Sequence, residues 1–216
     1  MCALSTSRRF ERPEGKLARG SSPRLARDTD FVQSTVTMTI DLHPIEATIR
    51  RAVPADAARL AEFGARSFSE TFGAENTAED MALHLARTYG PAIQSAEIDD
   101  PNMTTIIAES GSRIVGFAQL RVGPPPESVV GTSPIELLRF YVDRSWHGRG
   151  LASTLMVVVD QEASRRGATV IWLCVWERNE RAKAFYRKCG YVDVGSKAFI
   201  LGTDRQTDRV FSRTVA

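Results

Sequence analysis

Apolar positions in this chain fall into short continuous runs and helical stripes, separated by clusters of Gly, Pro, Ser and charged residues. Residues 47–53 read as a strand, and Pro54 with Asp56 then opens a helix. Thr77 opens a second helix with Glu79 and Asp80 in its first turn, and a short third helix follows Pro91. Residues 104–109 and 113–122 are strands joined by Ser110-Gly111-Ser112, a hairpin by spacing. Gly123-Pro124-Pro125-Pro126 breaks the chain before a strand that Glu136 opens and Val142 ends. A helix over 151–166 leads into Val170–Val175, an uninterrupted apolar run that predicts a strand buried on both faces. Asn179 sits at an N-cap position, Glu180 follows, and Ala182, Phe185, Tyr186 and Cys189 form a helical stripe that Gly190 ends. Residues 191–201 and 209–214 give two closing strands, and no segment repeats.

The order strand, helix, strand around residues 140–175 predicts a right-handed βαβ unit with a parallel strand pair. The fold class is therefore α/β: a mixed, mostly antiparallel sheet carrying one parallel pair, with helices on both faces. Residues 1–45 have no periodic apolar pattern and more Lys and Arg than Asp and Glu, so they read as a disordered N-terminal extension. Residues 46–216 form one domain, and a chain of this length buries about 70% of its unfolded surface.

Composition mainly excludes. A net charge of +2 without a basic stripe argues against a nucleic-acid partner. No apolar run is long enough for a membrane span. Three cysteines, odd in number and without metal spacing, fit reduced thiols in a cytoplasmic protein. His43, His84 and His147 are scattered, so neither a zinc site nor a His-based triad has support, and no metal is expected.

Residues 140–155, Phe-Tyr-Val-Asp-Arg-Ser-Trp-His-Gly-Arg-Gly-Leu-Ala-Ser-Thr-Leu, carry a strand through a polar turn into a glycine-spaced helix start. Such a junction brings backbone N–H groups up to an anion without Cβ atoms in the way, and the helix adds its positive end. A Walker A loop needs Lys and Ser or Thr after its second glycine, where this chain has Leu151 and Ala152. The Rossmann fingerprint needs Gly or Ala where Ser153 stands. The segment instead resembles the pyrophosphate loop of the GCN5-related N-acetyltransferases (GNAT superfamily). Val142, Gly148, Gly150, Leu151, Ala152 and Leu155 are in register with it, and His147 stands where Arg or Gln is usual. Residues 172–191, with Asn179, Ala182, Phe185, Tyr186, Lys188 and Gly190, resemble that family's second signature.

The resemblance implies the acyl-CoA acyltransferase fold, with acetyl-CoA as the co-substrate. It assigns acetyl-CoA contacts to Phe140, Tyr141, Val142, His147, Gly148, Arg149, Gly150, Leu151, Ala152 and Ser153, and further along to Asn179, Ala182, Phe185 and Lys188. Asn179 would meet the pantetheine arm, and Tyr186 would protonate the departing thiolate. Glu136 matches the place of a catalytic glutamate in the histone-modifying branch and would serve as base. Backbone N–H groups around Val142 would polarise the thioester carbonyl at a family strand bulge. An alkyl ammonium, with a pKa of about 10.4, must lose a proton before it attacks.

Between residues 60 and 103 the chain carries eight Asp and Glu against two Arg, a setting that attracts cations. Residues 67–73, 76–81 and 199–208 look like the PaiA-type bacterial polyamine acetyltransferases. By that resemblance Phe68, Glu70, Thr71 and Phe72 line the acceptor groove, and Phe68 with Phe72 at i, i+4 equally suits a core. The implied partner is a small-molecule or peptide amine, in a homodimer, with direct transfer in a ternary complex. Protein N-termini or other amino compounds are alternative acceptors, and a non-catalytic acyl-CoA sensor is the competing class.

Overall fold

The computed structural model describes residues 47–215, and the expected N-terminal extension lies outside them. Seven strands form one sheet: β1 (Thr48–Arg51), β2 (Met103–Ser110), β3 (Arg113–Val122), β4 (Pro134–Val142), β5 (Val170–Trp176), β6 (Val192–Leu201) and β7 (Asp204–Thr214). Their order is β1-β2-β3-β4-β5-β7-β6. Every neighbouring pair is antiparallel except β4–β5, which is parallel, as the βαβ pattern requires. The helices are α1 (Ala57–Phe72), α2 (Ala78–Thr88), α3 (Pro91–Asp99), α4 (Leu151–Arg165) and α5 (Glu180–Lys188).

The two larger cores among the described residues sit on opposite faces of the sheet. One joins Leu155, Met156 and Val159 of α4 and Ala182 and Tyr186 of α5 to Ile135, Leu137, Phe140, Ile171 and Leu173. The other joins Leu60, Phe63, Phe68 and Phe72 of α1 and Met81 of α2 to Ile107, Phe117, Tyr141, Trp176 and Leu201. β5 feeds both cores, which explains its unbroken apolar run: Ile171, Leu173 and Val175 face α4 and α5, while Trp176 faces α1.

Two strands start two or more residues earlier than expected. β4 begins at Pro134 rather than Glu136, two residues earlier. β7 begins at Asp204 rather than Arg209, because β6 and β7 pair through a tight hairpin from Leu201↔Asp204 onward. Residues 204–207 are polar and mostly wet, so they carry no apolar alternation to mark them as strand. The hairpin is tied to α2 through Asp80, whose carboxylate accepts from the Thr203 amide at 2.6 Å and the Thr203 hydroxyl at 2.9 Å. Asp80 also donates its own amide to the Thr77 hydroxyl at 3.1 Å, which caps α2.

Candidate active site

β4 and β5 pair only over Pro134↔Val170, Ile135↔Ile171 and Glu136↔Trp172, and then separate. The register of β3 against β4 steps from Leu120↔Leu137 to Gln119↔Arg139, so Leu138 is an extra residue that bulges β4 just past the parting. The bulge thus lies four residues before Val142, the position around which the N–H donors are expected. The result is a gap between two strands in the middle of the sheet, open toward their C-terminal ends.

On one side of that gap the chain leaves β4 through a turn capped by Asp143, whose carboxylate accepts from the Ser145 amide at 3.0 Å. Gly148 and Gly150 follow with φ of +76° and +85°, left-handed conformations that side chains with a Cβ adopt at a cost. No atom lies within 4 Å of where a Cβ on Gly148 would be, so the residue fronts open space. Gly150 is the N-cap of α4, whose first N–H groups have no partner within the helix. A cavity of about 480 Å³ opens beside this turn, lined by Val142, Trp146, His147, Gly148, Gly150, Ala152, Ser153, Arg181, Ala184, Phe185 and Lys188. Arg181 is partly buried there, and desolvation with the neighbouring Arg144 charge disfavours its cationic form. A cation held under such conditions favours an anion beside it. Glycine cradle, helix start and two cations together suit a pyrophosphate.

His147 lines the cavity with one ring nitrogen already engaged. Its Nε2 donates to the Val142 carbonyl at 2.9 Å, and burial lowers its pKa, so it acts as a neutral strut at the end of β4. Phe140, Leu151 and Ala182 are core residues, and Tyr141 stacks on Phe117 at 5.4 Å in the opposite core. Their side chains are not among those that line the cavity. Arg149 instead lies over the Trp146 ring at 5.7 Å. Asn179 caps α5 by accepting from the Ala182 amide at 3.0 Å. Tyr186 is fully buried in the α4–α5 core, with Phe140, Phe185 and Tyr191 around its ring.

On the other face, Glu136 is buried and accepts from Arg121 Nε at 2.9 Å and Nη2 at 2.5 Å. Arg139 pairs with Glu97 of α3 at 2.6 Å, which neutralises one member of the acidic 60–103 segment. Cys174 lies on β5 beyond the parting, and its thiol is pushed up to about 11 by burial, with Asp208 and Glu136 adding to the shift. Burial thus holds it toward its protonated, less nucleophilic form. Phe68 and Phe72 are each 1% exposed and 4.6 Å apart in the core, so they pack rather than line a groove. The Thr71 hydroxyl donates to the Ser67 carbonyl and Glu70 points to solvent.

Sequence reasoning missed Trp146, Arg181 and Ala184 in the cavity, and Arg121 as the partner of Glu136. Arg181 and Ala184 lie on one side of α5 with Lys188, at helical spacing, which was a usable signal. Arg121 meets Glu136 through β-register, which has no local signature. Among the described residues no group of three or more His, Cys, Asp or Glu is placed to hold a metal, and no helix is long and apolar enough to cross a membrane.

Comparison with known proteins bears on the same site. The acetyltransferase (GNAT) family profile matches residues 65–191. An uncharacterised N-acetyltransferase of Lactobacillus delbrueckii subsp. lactis is 32% identical over 149 residues, covering 69% of this chain and 86% of the relative. A PaiA N-acetyltransferase of Thermoplasma acidophilum, solved in complex with coenzyme A, superposes with a TM-score of 0.61 at 20% identity, over 78% of this chain and 98% of its own. Arabidopsis thaliana NAA60, solved with a bisubstrate analogue, gives a TM-score of 0.61 at 14% identity, over 79% and 99%. These two likenesses establish the fold, and the profile and the Lactobacillus relative establish more: the chain belongs to the acetyltransferase (GNAT) family and is an N-acetyltransferase.

Proposed function

We propose that the enzyme transfers the acetyl group of acetyl-CoA directly to a primary amine, with polyamines as its acceptors. The observation that carries this reading is the parting of β4 and β5 after Glu136, with an anion cradle on one side of the gap and buried carboxylates on the other. Acetyl-CoA supplies an acyl group already activated as a thioester. Gly148, Gly150 and the first turn of α4 hold its pyrophosphate through main-chain N–H groups, and Arg181 and Lys188 add positive charge. Phe185 gives the cavity an apolar wall beside Ala184.

Glu136 receives at a carboxylate oxygen the proton that the amine must shed, directly or through water, while Arg121 keeps that carboxylate oriented. Tyr186 holds at its Oη the proton needed by the departing sulfur. A protonated Cys174 supports single-step transfer over a relayed acyl group. The acidic residues of α1 to α3 favour a cationic acceptor by long-range attraction, which salt weakens.

The test is release of free CoA, followed with a thiol reagent, using spermidine, spermine and a panel of peptides with free N-termini. Turnover with spermidine and spermine above the peptides is expected. Turnover with peptides alone would replace polyamines by protein N-termini, and cofactor binding without turnover on any amine would sink the enzymatic reading.

A further inference from the structure

Among the described residues the buried carboxylates are held by named partners, with one exception. Asp56 is gripped by Arg50 and Arg59, Glu162 by Arg51 and Arg165, Glu136 by Arg121, and Asp80 by Thr203. Asp208 on β7 is 1% exposed, yet among the described residues neither of its oxygens has a hydrogen-bond partner. An unsatisfied buried carboxylate is costly and rare, which asks for a missing cation or donor.

Its position says where that cation comes from. Asp208 sits opposite Trp176 of β5 and Lys197 of β6, so its side chain shares a sheet face with Trp172, Cys174 and Trp176. That is the face on which Glu136 lies, and the Cys174 thiol feels the charges of both carboxylates. Asp208 is therefore on the face away from the phosphate cradle, with β5 between it and the gap. Burial, with the Glu177 charge, pushes the Asp208 carboxyl up; Lys197 lies near enough to oppose that shift, but among the described residues it makes no ion pair with Asp208. The Lys197 ammonium rests instead 5.9 Å from the centre of the Trp172 ring. An alkyl ammonium is thus already accommodated on this surface, against an aromatic face that attracts cations.

We propose that Asp208 binds a second ammonium group of the acceptor and so selects diamines and polyamines over monoamines. The nitrogen that attacks must be neutral, whereas a buried carboxylate stabilises the protonated form of any amine it touches. Asp208 thus suits a nitrogen distal to the one acetylated, which leaves Glu136 to receive the proton. This deepens the acetyl-transfer reading above and rests on it for the placing of the reactive end, but cation binding at Asp208 is measurable without turnover.

Calorimetry in the presence of CoA, with putrescine, spermidine and butylamine as probes, tests it. Putrescine and butylamine differ in the second ammonium alone at equal carbon count. The wild-type protein is expected to bind putrescine and spermidine at least about tenfold more tightly than butylamine, and Asp208→Asn to erase that preference by weakening the two probes that carry a second ammonium. Lys197→Met leaves Asp208 in place and removes a competing ammonium, so putrescine should bind a few-fold more tightly. No preference for putrescine in the wild-type protein, a preference undiminished in Asp208→Asn, or putrescine binding unchanged or weakened by Lys197→Met would each overturn the proposal. Preferential diamine binding that Asp208→Asn abolishes, without CoA release from any amine, would uphold Asp208 and sink the acetyl-transfer reading.

Discussion

The two sides of the β4–β5 gap are built from different material. On the donor side, Gly148, Gly150 and the start of α4 present main-chain N–H groups, and side chains matter chiefly by their absence. On the other side, which we propose takes the acceptor, Glu136, Arg121, Arg139, Glu97 and Asp208 are side chains brought from α3, β3, β4 and β7. A backbone site tolerates almost any change that keeps its dihedrals and almost none that alters them. A side-chain site can be retuned one residue at a time. One scaffold can thus keep a single acyl donor while its acceptor varies.

The sharpest way to break this contrast is to put a β-branched side chain into the cradle. Gly148→Val or Gly150→Val forces a left-handed conformation on a residue that pays heavily for it and sets a branched Cβ where the anion belongs. Acetyl-CoA binding measured by calorimetry should fall by at least a thousandfold, about 4 kcal/mol, with the fold intact by circular dichroism. Normal affinity in both variants would mean that the turn is no phosphate cradle.

Tyr186→Phe comes next, because it separates proton delivery from binding on the donor side. Its ring is packed among Phe140, Phe185 and Tyr191, and the substitution keeps that packing while removing only the hydroxyl. Turnover should drop on the order of a hundredfold, the lower end for general acid catalysis, while affinity for acetyl-CoA stays within about twofold. An unchanged rate would remove the acid role, and a loss of affinity matching the loss of rate would make Tyr186 a binding residue.

The same contrast explains what could be read from the chain before its fold was known. The glycine spacing at 148 and 150, and Asn179 as a cap, were legible because local backbone geometry admits few residue types there. The parallel pair, the hairpin of β2 and β3, and both helical layers were legible from apolar runs together with turn and cap residues. The acceptor side was not. Phe68 and Phe72 carry the same helical spacing whether they face a groove or a core, and the structure puts them in the core. Asp208 lay one residue outside the expected strand, since polar residues 204–207 hid the start of β7. Without that strand its register against Trp176 and Lys197, and hence its burial, had no basis in sequence.

The smallest expected effect is on stability, and it sets one histidine of each side against the other. His84 on α2 stacks on Phe68 at 4.2 Å and packs edge-on to Phe199, and burial lowers its pKa to about 4, with Arg139 opposing the cation as well. In the unfolded chain the imidazole takes a proton near its usual pKa of about 6.5, so as pH falls the unfolded state gains protons first. Stability is therefore complete above about pH 6.5, declines as pH falls toward about 4, and then levels off for this group. The amplitude should be on the order of 2 kcal/mol, below the upper bound that the full shift would give. His147, also lowered by burial, contributes in the same direction, whereas Asp208, raised by burial, works in the opposite one. Urea midpoints compared at pH 7 and pH 4.5 isolate the His84 part as the difference between wild type and His84→Phe. Asp56 and Asp143, both lowered, lose their contribution only at still more acid pH. Equal pH dependence in the two proteins would show that the ring is not held neutral in the acceptor-side wall, whereas a flatter profile in His84→Phe would make that wall more acid-sensitive than the backbone cradle opposite it.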